Sequence, residues 1–201
     1  MLVLASPPGG GKTSVSREIV RRDAGTALSV SATTRAIRPG EVEGKHYYFV
    51  SRPEFENMIA HGEMLEHALV YNNQYYGTPK APVEQALSDG KDVLFDIDWQ
   101  GNLSLKKMAA DDVVSIFLLP PTWDELSLRL HNRARDTEDE IARRLTMAQD
   151  EISHYTEFEY VIINNEFEET IAKVHAILEA ERIKRHRQTD LPDFIATLKP
   201  A

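Results

Sequence analysis

The segment Ser6-Pro7-Pro8-Gly9-Gly10-Gly11-Lys12-Thr13 follows an apolar run, Leu2-Val3-Leu4-Ala5, and precedes a stretch with helical spacing of Val15, Ile19 and Val20. A buried strand, a glycine turn and a helix in that order form a phosphate-binding loop. The glycines let the backbone curl so that successive N–H groups face one anion, and the helix adds the positive end of its dipole. The pattern G-x-x-x-x-G-K-[ST] is met except at its first position, where Ser6 stands. Pro8, Gly9, Gly10, Gly11, Lys12, Thr13 and Ser14 are therefore the candidate donor-phosphate set. Lys12 is expected on the β- and γ-phosphates of a nucleoside triphosphate, and the Thr13 hydroxyl on Mg²⁺. A plain turn of Gly and Pro is the alternative, and the strand–loop–helix context favours the nucleotide.

The 201 residues suffice for one core with inserted lobes, but hardly for two independent domains. There is no cysteine, which excludes disulfides and thiolate metal sites, and no apolar run approaches the length of a membrane span. The chain opens directly on the loop strand, so the expectation is a cytoplasmic protein with no leader. A net charge of −9 argues against non-specific nucleic-acid binding. Cations for a polyphosphate must then be concentrated locally, and two arginine groups do this: Arg35 with Arg38, and Arg129, Arg133, Arg135, Arg143 and Arg144.

Along the chain, a helix is expected over 13–23, a strand over 27–31, loop over 33–44 and a strand over 46–50. Ser51 with Pro53 and Glu54 predicts a capping box, and the helix it opens has Phe55, Met58 and Ile59 on one face and ends at Gly62. Extended chain is expected over 64–71 and again at Tyr75-Tyr76, with Thr78-Pro79 opening a helix that Gly90 closes. Val93 to Asp98 and Val113 to Leu119 are apolar runs of the kind buried in a parallel sheet. Helices are expected at 122–132, capped by Thr122, and from Thr137 to about Tyr155, opened by a second capping box. A strand at 160–163 and a helix from Glu166 to about Arg187 follow. Trp123 is expected to pack inward, and the basic run Arg182 to Arg187 to form a solvated helix end. Strands alternating with helices imply a parallel sheet with right-handed crossovers; the closely spaced strands of 33–77 read as an insertion.

The run Ser31-Ala32-Thr33-Thr34-Arg35-Ala36-Ile37-Arg38-Pro39-Gly40-Glu41-Val42-Glu43-Gly44-Lys45-His46-Tyr47 places two arginines, a serine and a tyrosine where they can converge on one phosphate. With Leu65-Glu66-His67-Ala68, Tyr75-Tyr76-Gly77-Thr78 and Asp96-Ile97-Asp98-Trp99-Gln100-Gly101, in this order and spacing, the chain resembles the guanylate kinase family from its glycine loop to about Arg187. The resemblance implies a P-loop three-layer α/β/α fold with a central parallel sheet, an inserted mixed α+β GMP-binding lobe and a helical lid. One domain is expected, with its core at 1–32, 78–121 and 151–201, the lobe at 33–77 and the lid at 122–150. It also implies transfer of the ATP γ-phosphoryl group to GMP with Mg²⁺ as cofactor, and leaves dGMP open as an acceptor. No nucleic acid, membrane or obligate protein partner is expected.

Carried over by motif, Ser31, Arg35, Arg38, Tyr47 and Tyr76 would grip the GMP phosphate, Glu41 would belong to the GMP-binding set, and Glu66, Thr78 and Asp98 would read guanine. An ionised carboxylate at Glu66 accepts from both guanine N1–H and its 2-amino group, and repels the N1 lone pair of adenine. Thr78 can donate to guanine O6 or cap the helix that begins beside it. Asp96 is expected to reach Mg²⁺ through water. Lys12, Arg35, Arg133 and Arg144 would be the catalytic cations, with Arg129 and Asn164 completing the ATP side and Arg143 paired to Glu138, Asp139 or Glu140. The chain departs from the family at Pro8, which removes a backbone donor, at Ala134 and Arg135 in the lid, and at Asn165 on the adenine side; the Asn72-Asn73-Gln74 turn is one residue longer. The rival is a non-catalytic guanylate-kinase-like module that binds protein ligands.

Overall fold

The structure is a computed structural model, describing residues 1–70, 73–132 and 137–198, with the side chain of Val70 left aside. Strand β1 (Leu2–Ala5) leads through the glycine loop into α1 (Lys12–Arg22) and β2 (Thr26–Leu28). The chain then builds a second sheet from β3 (Ala32–Thr33), β4 (Tyr48–Phe49), β5 (Met64–Val70) and β6 (Gln74–Pro79), with helix α2 (Arg52–Ala60) between β4 and β5. It returns through α3 (Lys80–Ser88), β7 (Asp92–Asp96), α4 (Trp99–Ala109) and β8 (Val114–Leu119). Helices α5 (Trp123–His131) and α6 (Glu138–Ser153) precede β9 (Tyr160–Ile163), α7 (Phe167–Arg182) and the short α8 (Leu191–Thr197).

The main sheet has the order β2-β7-β1-β8-β9, every pair parallel. Side chains alternate across it, as the period of a strand requires. Leu2 and Leu4 face α1 and α7 in a cluster with Val15, Ile19, Val174 and Leu178. Val3 and Ala5 face the other way, with Phe95, Phe117 and, from α3 and α4, Val83 and Leu105. Both faces are thus covered, the three-layer arrangement expected. The parallel register pairs Leu4 with Asp96, so the loop that leaves β1 emerges beside the carboxylates that end β7, at the carboxyl edge where open α/β sheets bind ligands.

The second sheet, ordered β4-β3-β6-β5, is mixed: β3 runs parallel to β4 and antiparallel to β6, and β5 and β6 form an antiparallel pair. Its own small core is Ala32, Phe55 and Met64. A third cluster, Leu126, Leu130, Ile141 and Ala148, joins α5 to α6.

Local signals were faithful guides at helix starts. Ser51 with Glu54 and Thr137 with Glu140 close complete capping boxes, and Thr122 accepts from the Glu125 amide. Other expectations are corrected. The 27–31 strand stops at Leu28, because the chain crosses there to the second sheet, and Ala32–Thr33 is strand rather than loop. The 46–50 strand shortens to Tyr48–Phe49, with Tyr47 in an isolated bridge to Glu43. Thr78 caps nothing: β6 continues to Pro79, which is the N-cap of α3 and offers no side-chain bond. Helix α4 had no counterpart in the sequence reading. Trp123 is 46% exposed rather than packed. The last long helix ends at Arg182, followed by a 3₁₀ turn at Arg185–Arg187. The basic run is exposed at Lys184, Arg185 and His186, as expected, but its ends are engaged: Arg182 bridges Asp23, Asp92 and Glu179, while Lys184 and Arg187 flank buried Glu181. Part of the 72–74 turn, and the lid residues Arg133, Ala134 and Arg135, lie outside the described residues.

Candidate active site

Gly11 is the N-cap of α1 and has φ +95°, a backbone that L side chains rarely adopt; a Cβ there would stand 2.5 Å from Asn164 Nδ2. Having no side chain, Gly11 also leaves the first-turn amides of α1 uncapped, available to an anion. The loop is fastened from behind. Asn164 donates from Nδ2 to the Gly10 carbonyl at 2.8 Å, and its Oδ1 accepts from the Thr170 hydroxyl at 2.9 Å. Gly10 is buried, and its own N–H donates to Pro7 O at 2.8 Å. That amide is engaged within the turn.

From this loop Lys12 reaches across to β7. Its Nζ donates to Ile97 O at 2.9 Å and stands 3.2 Å from Asp96 Oδ1. Burial by itself would favour the neutral amine, but Asp96, with Glu151 and Asp98 behind it, more than offsets that and holds the lysine pKa above its usual value. Thr13 and Ser14 are exposed on the first turn of α1.

A cavity of about 610 Å³ opens from Lys12 into the second lobe. Ser31, Arg35, Arg38, Tyr47, Glu66, Tyr76, Asp96 and Asp98 all line it, so eight of the predicted residues converge with Lys12 on one space. Its charge is polarised. Arg35, Arg38 and Tyr47 stand on the β3–β4 connection with Tyr76 of β6 beside them, whereas Glu66 and Asp98 supply carboxylates from β5 and from the turn after β7. Arg35 is heavily engaged: both terminal nitrogens donate to Glu41 at 2.8 and 2.9 Å, and Nε donates to the Tyr76 hydroxyl at 3.1 Å. Glu41, paired this way, has its carboxyl held below the usual range, and it does not line the cavity. Its role is to aim Arg35.

Glu66 and Thr78 face each other across the β5–β6 ladder, and the Thr78 hydroxyl donates to Glu66 Oε1 at 2.7 Å. Both are buried. Burial, reinforced by the charge of Asp98 and opposed by the Thr78 hydrogen bond, pushes the Glu66 carboxyl up to about 7. Thr78 itself is not on the cavity wall and meets the space only through its bond to Glu66. Asp98 lines the cavity and also caps α4, accepting from the Gly101 amide at 2.9 Å.

On the other side of the loop, Gly9, Gly11, Ser14, Arg129, Asn164, Asn165 and Phe167 surround a recess of about 280 Å³. Arg129 is fixed there by Glu125 at 2.8 Å and by a 3.3 Å bond to Asn164 O. A third space, about 570 Å³, lies between Pro8, Arg38 and the α6 residues Glu140, Arg143, Arg144, Thr146 and Met147. Arg38 therefore borders both the lobe cavity and this cleft. Arg143, expected in an ion pair, makes none within 4 Å among the described residues, although its charge reaches Glu140, and it lines this cleft opposite Pro8. Two features escaped the sequence reading: the support of the loop by Asn164, and Glu151 on α6. Burial pushes the Glu151 carboxyl up to about 7, with Lys12 opposing and Asp98 and Asp150 adding. Helical spacing puts Glu151 seven residues after Arg144, on the same face of α6; that signal was legible.

The family model described as guanylate kinase matches residues 1–181. The guanylate kinase of Paramagnetospirillum magneticum is 50% identical over 199 residues, 99% of this chain and 92% of that protein. That of Bradyrhizobium diazoefficiens is 51% identical, covering 99% and 90%. Among solved structures, the guanylate kinase of Anaplasma phagocytophilum superposes with a TM-score of 0.80 at 39% identity, covering 98% of this chain and 93% of that one.

Proposed function

The chain belongs to the guanylate kinase family and is an ATP:GMP phosphotransferase that yields ADP and GDP, and we propose the following division of work among its residues. The observation that carries it is the single cavity in which Lys12 meets the arginines, tyrosines and carboxylates of the second lobe. Residues 32–79 form the GMP-binding lobe, slightly wider than the sequence boundaries because all of β3 and β6 belongs to the second sheet; 122–150 form the lid and the remainder the core.

Ser31, Arg35, Arg38, Tyr47 and Tyr76 hold the GMP phosphate, with Glu41 keeping Arg35 in line. Glu66 accepts from guanine N1–H and the 2-amino group, Thr78 orients that carboxylate, and Asp98 completes the base end. ATP lies on the other side of the loop, its phosphates on the amides of Gly9, Gly11 and the first turn of α1, with Ser14 and Arg129 beside them. Asn164 acts there by fixing the loop. Pro8 contributes stiffness and no amide.

Phosphoryl transfer builds charge on the equatorial and bridging oxygens, so positioned cations do most of the catalysis and no strong base is required. Lys12, Arg35 and Arg144 supply them, and Arg133, outside the described residues, is proposed as a fourth. Arg143, facing Pro8 from α6, joins this group. The Thr13 hydroxyl and, through water, Asp96 would hold Mg²⁺; both are the hard oxygen donors this ion takes. Bound there, the ion would neutralise phosphate charge. Closure of the lid excludes water that would otherwise hydrolyse ATP.

A non-catalytic protein-binding module is disfavoured by the intact Lys12–Thr13 pair and by the family match over residues 1–181. A cytoplasmic setting is proposed from the absence of cysteine, and no described helix is long and apolar enough to cross a membrane. The test is a coupled assay of ADP release with GMP, dGMP, AMP, CMP and UMP in turn. GMP should be the preferred acceptor; turnover with AMP at an equal kcat/KM would overturn the base-reading assignment.

A further inference from the structure

Helix α6 carries Arg143 and Arg144 near its start and is rooted at its far end against the active-site edge of the sheet. Directly after its last residue, the imidazole of His154 lies flat on the indole of Trp99, ring centroids 3.5 Å apart and planes 10° from parallel. Trp99 opens α4 and follows Asp98, which lines the GMP cavity. Its indole packs on the same apolar cluster as Leu65, the neighbour of Glu66. The segment beyond His154 is tied to α4 as well: Asn102 Nδ2 and Lys106 Nζ both donate to Glu157 O, at 3.3 and 2.9 Å. One turn before His154, Glu151 lies within electrostatic reach of Lys12 and Asp98. The root of the lid helix thus meets the base-reading strand end, the apolar cluster behind β5, and the catalytic lysine at one place.

The geometry there suits a pivot. Two rings in parallel contact can turn in their common plane without separating, but a tilt pulls them apart. From His154 back to Arg144 is ten residues, a lever of roughly 15 Å at the helical rise. A tilt of about 4° at the root would move the arginine by roughly 1 Å, and misplacement on that scale can cost ~10²-fold in rate. Small freedom at the stack is therefore amplified at the phosphates.

We propose that the Trp99–His154 stack is the pivot of the lid helix, and that both residues are positioning residues for Arg143 and Arg144. Neither needs to touch a nucleotide. The proposal rests on assigning the α6 arginines to the donor phosphates. It goes beyond that assignment by naming what sets their distance from the loop.

The test uses the full chain carrying Trp123→Phe, which leaves Trp99 as the sole indole. In that background His154→Ala should alter Trp99 emission and lower kcat ~10-fold or more, with KM for GMP changed less than ~2-fold, because no α6 residue lines the lobe cavity. His154→Phe restores a flat ring and should return kcat to within ~3-fold of the parent. Unchanged emission and kcat in His154→Ala would overturn the proposal, as would equal losses in the Ala and Phe variants or a loss carried wholly by KM for GMP. A purely structural role would lower the melting temperature of both variants without ring-specific rescue of kcat. Arg144→Met separates the two readings. If it retains full kcat, the arginine assignment fails; if it is crippled while His154→Ala is normal, only the pivot fails.

Discussion

Arg35 enters the lobe cavity, proposed to take GMP, already held by Glu41 and Tyr76, and Glu66 is already held by Thr78. Across the same space Lys12 stands on a glycine loop whose working groups are backbone amides, fixed from behind by Asn164, while the remaining cations arrive on a different element, α6. Side chains locked in pairs discriminate, because a wrong ligand leaves a buried partner unmatched and such mismatches are costly. Backbone amides and cations carried on a separate helix recognise charge, which every triphosphate carries. The acceptor side is thus built for selectivity and the donor side for stabilising developing charge. A substitution on the first should show in KM or in the choice of monophosphate, and one on the second in kcat.

The sharpest break in that division would come from Lys12→Met. Removing a buried cation from the transferring group should lower kcat by ~10³-fold or more in the coupled assay, with KM for GMP little changed. If KM rose instead and kcat held, Lys12 would belong to the acceptor side and the contrast would collapse.

Next in size is Glu66→Gln. The amide can accept one guanine donor but presents its own N–H₂ to the other, and that same N–H₂ suits adenine. The preference for GMP over AMP in kcat/KM should fall by at least ~10²-fold. The pH dependence follows from the displaced ionisation. With the Glu66 carboxyl at about 7 rather than 4.5, only the form above neutrality accepts both guanine donors, so kcat/KM for GMP should decline below pH 7 in the wild type. Glu151, also at about 7, contributes its own part of that limb, and Glu66→Gln removes only the Glu66 part. Stability moves the opposite way. A carboxyl whose folded pKa is raised stabilises the fold most below about 4.5, and the contribution is lost as pH climbs through 7, in all about 3 kcal/mol. Glu66→Gln should accordingly resist urea better than the wild type at pH 8, with the gap closing near pH 4.5.

How far these sites were legible follows the range of the interactions. The glycine loop, the two capping boxes and the alternating core strands depend on neighbours within a few residues, and the sequence alone placed them. Thr78-Pro79 also looked like a helix start, yet Thr78 is claimed by Glu66, twelve residues back on the paired strand, and the ladder outweighs the local cap. Helix α4 was missed although its cap, Asp98, had been singled out, because that carboxylate was assigned to the base. Asn164 supports a loop 154 residues away, and Trp99 meets His154 across the second half of the molecule; nothing in either local segment announces the partner. The eight cavity residues were found through motif resemblance, whereas Glu41's service to Arg35 needed coordinates.

Arg35→Ala tests whether the acceptor side works through pre-paired side chains. Loss of a charge-assisted grip on phosphate should raise KM for GMP roughly 10- to 100-fold and, because Arg35 is also one of the proposed catalytic cations, lower kcat as well, measured by initial rates. Arg35→Lys should recover little, since a single ammonium cannot hold Glu41 with two nitrogens and keep Tyr76 as well. Full recovery by lysine would mean that charge alone matters there, and would erase the distinction drawn between the two sides.

The smallest effect separates the two sides by their helix caps. Both α2, in the lobe, and α6, in the lid, begin with a capping box, but the boxes differ in quality. The N3 amide donates to the cap hydroxyl at 3.3 Å in both, but the reciprocal backbone bond is 2.8 Å at Thr137 against 3.4 Å at Ser51, and only the Thr137 hydroxyl also donates to its N3 carboxylate, at 3.1 Å. Thr137→Ala should therefore cost about 1 kcal/mol, lowering the melting temperature by roughly 2–4 °C, and Ser51→Ala less. The functional consequences should divide as the sites do. Fraying the start of α6 loosens Arg143 and Arg144, so Thr137→Ala should lower kcat severalfold, while Ser51→Ala, acting on the lobe, should appear in KM for GMP. Equal kinetic signatures from the two cap variants would indicate that lobe and lid move as one body, and that the contrast between a selective side and a catalytic side stops at their individual residues.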